Sequence, residues 1–173
     1  RIYTDDGLIG NGECIHGGEG CPQMVHALKH EIIGESPLNV DMLFEKMRRG
    51  KLFDGAMSGA TVTAMTGIEI ALWDLAGKAL GVPVFQLLGG KFRDTVRLYC
   101  DSHAGKDFSP QAYAERAREV VAMGFDAIKF DVDETRAGFR NDRWNWHASN
   151  PEIDWMVERV AAVREAVGPS VDL

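Results

Sequence analysis

Lys129 and Asp131 stand two residues apart in the run Ala127-Ile128-Lys129-Phe130-Asp131. A strand turns successive side chains to opposite faces, so this run carries an ammonium and a carboxylate on one face and Ile128, Phe130 and Val132 on the other. The apolar face suits packing on helices. The charged face has two readings. At an ordinary strand end it is a solvated salt bridge of little energetic weight. In a parallel barrel the last inward residues before a loop face the active site, and there a Lys and an Asp read as chemistry.

Such a pair needs parallel strands joined by helices, and the surrounding sequence has that rhythm. Residues 96–101 read as a strand. Ser109 caps a helix with Pro110 at its first position, and Gly124 ends it. Tyr113, Ala117, Val120 and Val121 form its expected buried stripe. The strand over residues 126–132 follows. Asn150 is expected to cap a second helix with Pro151 at its first position, Gly168 ends it, and Ile153, Val157, Val160 and Ala161 form its stripe. Val171 opens a third strand. The order β-α-β-α-β with long crossovers implies parallel strands. Loops from helix to strand are short, whereas those from strand to helix are long, at about residues 103–108 and 133–149. Long strand-to-helix loops build the active site of a β/α barrel, which makes His103 a candidate substrate-binding residue. The second loop holds Arg136, Arg140, Arg143, Trp144, Trp146 and His147. It is either a solvated surface loop or a cationic, aromatic cover for an anionic polar substrate; in the second case Trp146 and His147 bind substrate.

Residues 2–14 read as a β-hairpin with Asp6-Gly7 as a type I′ turn. Gly10-x-Gly12 lacks the third glycine and following helix of a dinucleotide fingerprint. Pro22 begins a helix to about residue 33, on which His26 and His30 lie one turn apart. With no third ligand evident, they read as structural. Another helix starts at Asn39 or Asp41 and runs to Arg49, followed by a glycine-containing loop over residues 50–59. From about residue 61 a long helix reaches Leu80, with Met65, Ile68, Leu72, Leu75, Ala76 and Ala79 at helical spacing. Asp74 and Lys78 are placed to pair along it. Gly81 then reads as its terminator, with Pro83 beyond. Residues 85–88 read as a short turn.

The chain has 173 residues, 45% of them apolar, and a net charge of −7. An acidic chain lacks the basic face that nucleic acids or anionic membranes require. No run of about 18 apolar residues is present, so no spanning helix is expected. Three cysteines without a C-x-x-C spacing read as reduced thiols of a cytoplasmic protein. Arg1-Ile2-Tyr3 reads as mid-strand and Val171-Asp172-Leu173 as the start of one, so the chain reads as a segment of a longer protein.

The run Gly67-Ile68-Glu69-Ile70-Ala71-Leu72-Trp73-Asp74-Leu75-Ala76-Gly77-Lys78, with Gly81-Val82-Pro83-Val84 and Leu87-Leu88-Gly89-Gly90, resembles the signature of the mandelate racemase-like group of the enolase superfamily. Thr4-Asp5-Asp6-Gly7 through Gly12-Glu13 resembles the hairpin of the same group. The resemblance implies an α/β protein. An α+β capping domain over residues 1–92, lacking its first strand, is followed over residues 93–173 by the start of a (β/α)7β barrel. It implies Mg²⁺-assisted abstraction of the proton α to a carboxylate, a small-molecule sugar acid as substrate, and a homo-oligomer. The group commonly carries Lys-x-Lys at the end of the second barrel strand, the first Lys neutralising the enolate and the second acting as base. Here the matching residues are Lys129 and Asp131. Lys129 keeps the electrostatic role. A carboxylate is a weak base for an α-proton, so Asp131 departs from the two-base pattern. The implied reaction is dehydration of a sugar acid through an enediolate. A racemase, epimerase or cycloisomerase, or a non-catalytic homologue that binds acid sugars, is the alternative. The implied metal carboxylates and main base lie on later strands, beyond residue 173, so no metal ligand is assigned. The loop over residues 50–59 resembles one that closes over substrate, which makes Phe53 and Asp54 candidates. In mannonate dehydratase-like members of the group the loop after the second strand supplies a Tyr–Arg pair; this loop has arginines and no Tyr, so His147 is its one residue that offers a comparable base.

Overall fold

The helix α3, Gly59–Leu80, organises the first part of the chain. It buries Ala64, Met65, Ile68, Ala71, Leu72, Leu75 and Ala76, and its end follows from Gly81. That residue takes a left-handed φ of 69°, and the next N–H, on Val82, donates back to the Gly77 carbonyl at 2.9 Å. The computed structural model describes residues 1–15, 18–53, 58–133 and 147–173. They fall into two compact units, Arg1–Asp94 and Thr95–Leu173.

In the first unit, β1 (Ile2–Tyr3) and β2 (Ile9–Gly10) pair antiparallel, Ile2 with Gly10 and Tyr3 with Ile9. The turn between them differs from the type I′ expectation. The Gly7 N–H donates to the Thr4 carbonyl and the Thr4 N–H to Leu8, both at 3.1 Å, with Gly7 at φ 86°. This is a three-residue connection with glycine in the bulge position, so one residue rather than two needs positive φ. Gly12 allows a close approach: a Cβ there would collide with the Gly67 carbonyl oxygen of α3. Asp74 secures the contact, accepting from the Asn11 N–H at 2.8 Å and from Lys78 at 2.6 Å. Lys78 also donates to the Ile9 carbonyl at 2.7 Å. The expected pair within α3 therefore also ties the hairpin down. The helix α1, Cys21–Leu28, gives way to a 3-10 turn, Lys29–Glu31, ahead of Gly34 at φ 80°. Leu28 of α1 and Leu43 and Met47 of α2 (Val40–Gly50) close the core on α3. Residues expected as a turn form the short helix α4, Val84–Leu87.

In the second unit the order is β3 (Cys100–Asp101), α5 (Pro110–Ala122), β4 (Ile128–Lys129) and α6 (Asn150–Val167). The strands β3 and β4 are parallel, with Cys100 beside Ile128 and Asp101 beside Lys129. Asp172 extends the ladder as a third parallel neighbour, bridged to Ala127. The bonded ladders are shorter than the sequence suggests. Near the strand starts a side chain takes over: Arg97 donates to the Asp126 carboxylate and carbonyl, each at 3.0 Å, and pairs with Asp172. Ser109 caps α5 as expected, accepting from the Ala112 N–H at 3.3 Å.

Two expectations about helices are corrected. Ser149, not Asn150, caps α6, because Ser149 and Glu152 form a reciprocal capping box that Asn150 lacks the spacing to make. The buried face of α6 also differs. Ile153, Val157 and Val160 are 45%, 59% and 40% exposed, and Ala161 is exposed as well. The inward residues are Glu152, Arg159 and Val163. Arg159 is buried because its guanidinium lies over two rings, 5.3 Å from Tyr113 and 5.4 Å from Trp155. On α5, Ala114 joins Tyr113, Ala117 and Val120 inside, and Val121 is exposed. Among the described residues no helix is long and apolar enough to cross a membrane.

Candidate functional site

The core fixes which way β4 faces. Ile128 is buried, and the Phe130 ring meets Tyr113 of α5 edge-on at 5.7 Å. Alternation then turns Lys129 to the opposite, open face. Tyr113 also donates its hydroxyl to the Asp131 carbonyl at 3.1 Å, which pins the backbone where the strand ends.

On that open face three charged groups meet. The Lys129 ammonium lies 3.3 Å from Asp131 Oδ1. It lies 3.2 and 3.0 Å from Asp101 Oδ1 and Oδ2. Asp101 is missing from the sequence candidates. The signal for it was present: it ends the first parallel strand, and strands of one ladder bring their ends together. The hydrogen bonds that Lys129 donates to Asp101 hold its ammonium above the usual lysine range; desolvation opposes them, and Asp131 adds a weaker push in the same direction as Asp101. Lys129 is therefore a cation at neutral pH, suited to stabilising negative charge rather than to taking a proton. All three side chains are about half exposed, so the group is open to a ligand.

The remaining candidates are placed as follows. His103 is exposed on the segment after β3, and His147 is exposed two residues before the Ser149 cap of α6. Phe53 belongs to the first unit and is 99% exposed. Trp146 and Asp54 lie outside the described residues, as do Arg136, Arg140, Arg143 and Trp144. Among the described residues no three His, Cys, Asp or Glu side chains gather into a cation site. Asp101 and Asp131 do not fit one either, because an ammonium stands between them, where Mg²⁺ demands a near-octahedral set of oxygens at about 2.0–2.1 Å. His30 Nε2 lies 3.1 Å from the Glu31 carboxylate.

A family model described as "Mandelate racemase / muconate lactonizing enzyme, N-terminal domain" matches residues 1–89. A second, "Enolase C-terminal domain-like", matches residues 112–173. Among curated proteins, D-xylonate dehydratase of Haloferax volcanii is 48% identical over 174 aligned positions, covering 100% of this chain and 42% of that protein. D-gluconate dehydratase of Thermoproteus tenax is 36% identical, with 100% of this chain and 33% of that protein covered. A crystal structure of a mandelate racemase/muconate lactonizing enzyme-like protein from Rubrobacter xylanophilus superposes with a TM-score of 0.86 at 46% identity, covering 94% of this chain and 45% of that one. The chain thus spans less than half the length of these relatives.

Proposed function

The chain belongs to the mandelate racemase/muconate lactonizing enzyme family of the enolase superfamily, and from that membership we propose that it is part of a dehydratase of sugar acids. Its fold class is α/β, an α+β capping domain followed by the first part of a (β/α)7β barrel; residues 1–92 are proposed as the first and 93–173 as the second. The observation that carries the reading is the Lys129 cation held between Asp101 and Asp131 on the open face at the ends of parallel strands. Barrel chemistry sits at that end of the strands.

In this reading Lys129 stabilises the negative charge that develops when the proton α to the substrate carboxylate leaves. Asp131 accepts a hydrogen bond from a substrate hydroxyl. The base that takes the α-proton and the carboxylates that hold Mg²⁺ are proposed on later strands of the full-length protein. Loss of the β-hydroxyl then gives a 2-keto-3-deoxy acid. A carboxylate where two-base members carry a second lysine favours dehydration over racemisation or epimerisation. His103, Trp146 and His147, with Phe53 and Asp54 from the capping domain, are proposed as substrate-binding residues. The names of the relatives, D-xylonate and D-gluconate dehydratase, support a sugar acid as the substrate class. A cytoplasmic homo-oligomer is the proposed working form.

The test is incubation of the full-length protein and Mg²⁺ with a panel of five- and six-carbon aldonic acids in deuterated water. A 2-keto-3-deoxy product is expected. Exchange of the α-proton with recovery of the sugar acid or its epimer establishes the isomerase alternative. Binding without either outcome establishes the non-catalytic one.

A further inference from the structure

We propose that Asp101 is a positioning residue for Lys129, holding its ammonium at the strand ends where substrate charge develops. The inference rests on the catalytic reading of Lys129 and gives Asp101 a role which that reading did not assign.

The backbone places Asp101 with little freedom. The Cys100 N–H on one side of it donates to the Ala127 carbonyl at 3.0 Å, and the Ser102 N–H on the other donates to the Lys129 carbonyl at 2.9 Å. Ser102 is itself buried, and its hydroxyl accepts from Arg116 of α5 at 2.9 Å. The Asp101 side chain therefore leaves a segment that is bonded on both flanks to the strand carrying Lys129. A lysine ammonium rides on a flexible four-carbon stem and has no fixed position of its own. Asp101 meets it with both carboxylate oxygens, at 3.0 and 3.2 Å, and from the neighbouring strand. Asp131 meets it with one oxygen, at 3.3 Å, from its own strand. The two contacts act in different directions, Asp101 across the sheet and Asp131 along the strand, and together they fix one position for the cation.

The arrangement also has an electrostatic consequence. Two carboxylates flank one ammonium, so the group carries a formal charge of about −1. A substrate anion cannot be drawn to it by net charge. Lys129 acts instead at short range, on charge that appears at a defined point, and such action depends on placement. A misplacement of about 1 Å at a reacting centre costs on the order of 100-fold in rate.

The experiment is a double-mutant cycle in the full-length protein, assayed with the aldonic acid that the wild type dehydrates best. Asp101→Asn keeps shape and removes charge. It is expected to lower kcat about 100-fold with KM little changed. The Asp101→Asn/Lys129→Met double variant is expected to be no slower than Lys129→Met alone, because both changes remove one function. Asp101 and Asp131 are the charged groups facing Lys129 among the described residues. Loss of Asp101 is expected to move the alkaline limb of the kcat profile to lower pH. Where Asp101→Asn fails to fold by circular dichroism, Asp101→Ser takes its place in the same cycle. Turnover of the Asp101 variant within twofold of wild type overturns the proposal, as do losses that multiply in the double variant. Normal turnover of Lys129→Met overturns the reading of Lys129 itself and the proposal with it.

Discussion

At the residue scale the charged face of β4 separates two jobs that a lysine pair would share. Its carboxylate neighbours favour the charged form of Lys129, and in the proposed mechanism that charge acts on the enolate that develops in the transition state. Lys129→Met is expected to lower kcat by about 10²–10³-fold, as loss of one oxyanion donor does, with KM largely preserved. Steady-state kinetics check this, and near-normal turnover sinks the role. Asp131 decides between reaction classes. Asp131→Asn is expected to weaken recognition of a substrate hydroxyl while α-proton exchange with deuterated water continues. A variant that binds substrate yet loses all exchange makes Asp131 the base and restores a two-base mechanism. Lys129 and Asp131 were legible because strand alternation is local. Asp101 needed a second, non-local step, the parallel register of two strands that sets it beside Lys129.

At the element scale, helix existence was legible and helix orientation less so. The spacing of Met65, Ile68, Leu72 and Leu75 marks the buried face of α3 because each packs as an apolar side chain. The same reasoning misassigns α6, whose inward face is built on Arg159. A search for apolar spacing puts a guanidinium in water, and the Tyr113 and Trp155 rings that shelter it come from other turns and another helix. The α6 cap was displaced by one residue for a similar reason: Asn150 is a good cap in isolation, but Glu152 lies three residues after Ser149. Ser149→Ala removes that box and is expected to cost about 1 kcal/mol, read as a lowered thermal midpoint. In the first unit Asp74 binds Lys78 and the Asn11 N–H. These contacts hold its carboxyl below the ordinary aspartate value of 3.8. A depressed folded pKa contributes stability that is present above the unfolded value and lost as pH falls through the folded one. Asp74→Asn is therefore expected to lower the thermal midpoint at pH 7. The gap from wild type should narrow as pH falls below 3.8, and a gap that stays constant down to pH 2 contradicts the assignment.

At the scale of the whole molecule, two cores carry the fold while much apolar surface remains outside them. On the second unit Val96 and Leu98, which precede β3, are 71% and 67% exposed, and Val157 of α6 is 59% exposed. On the first unit Ile33 is 69% exposed. Isolated apolar side chains on a surface are ordinary. Here Ile153, Val157 and Val160 recur along one side of a single helix, and a stripe of that kind marks a surface that another element covers. The relatives are more than twice as long as this chain, which supplies enough further sequence to do so. Their lengths also explain why the proposed base and metal ligands were not legible here: residues on other strands leave no trace in the spacing of these ones. The 173-residue chain expressed alone is accordingly expected to bind a hydrophobic dye such as anilinonaphthalene sulfonate and to self-associate as its concentration rises. The full-length protein at equal molarity is expected to bind far less dye. Replacing Val157 and Val160 with glutamine is expected to reduce dye binding by the isolated chain and to destabilise the full-length protein. Those opposite signs distinguish a covered face from a surface that is merely apolar, since a face exposed in both contexts gives the same sign in each.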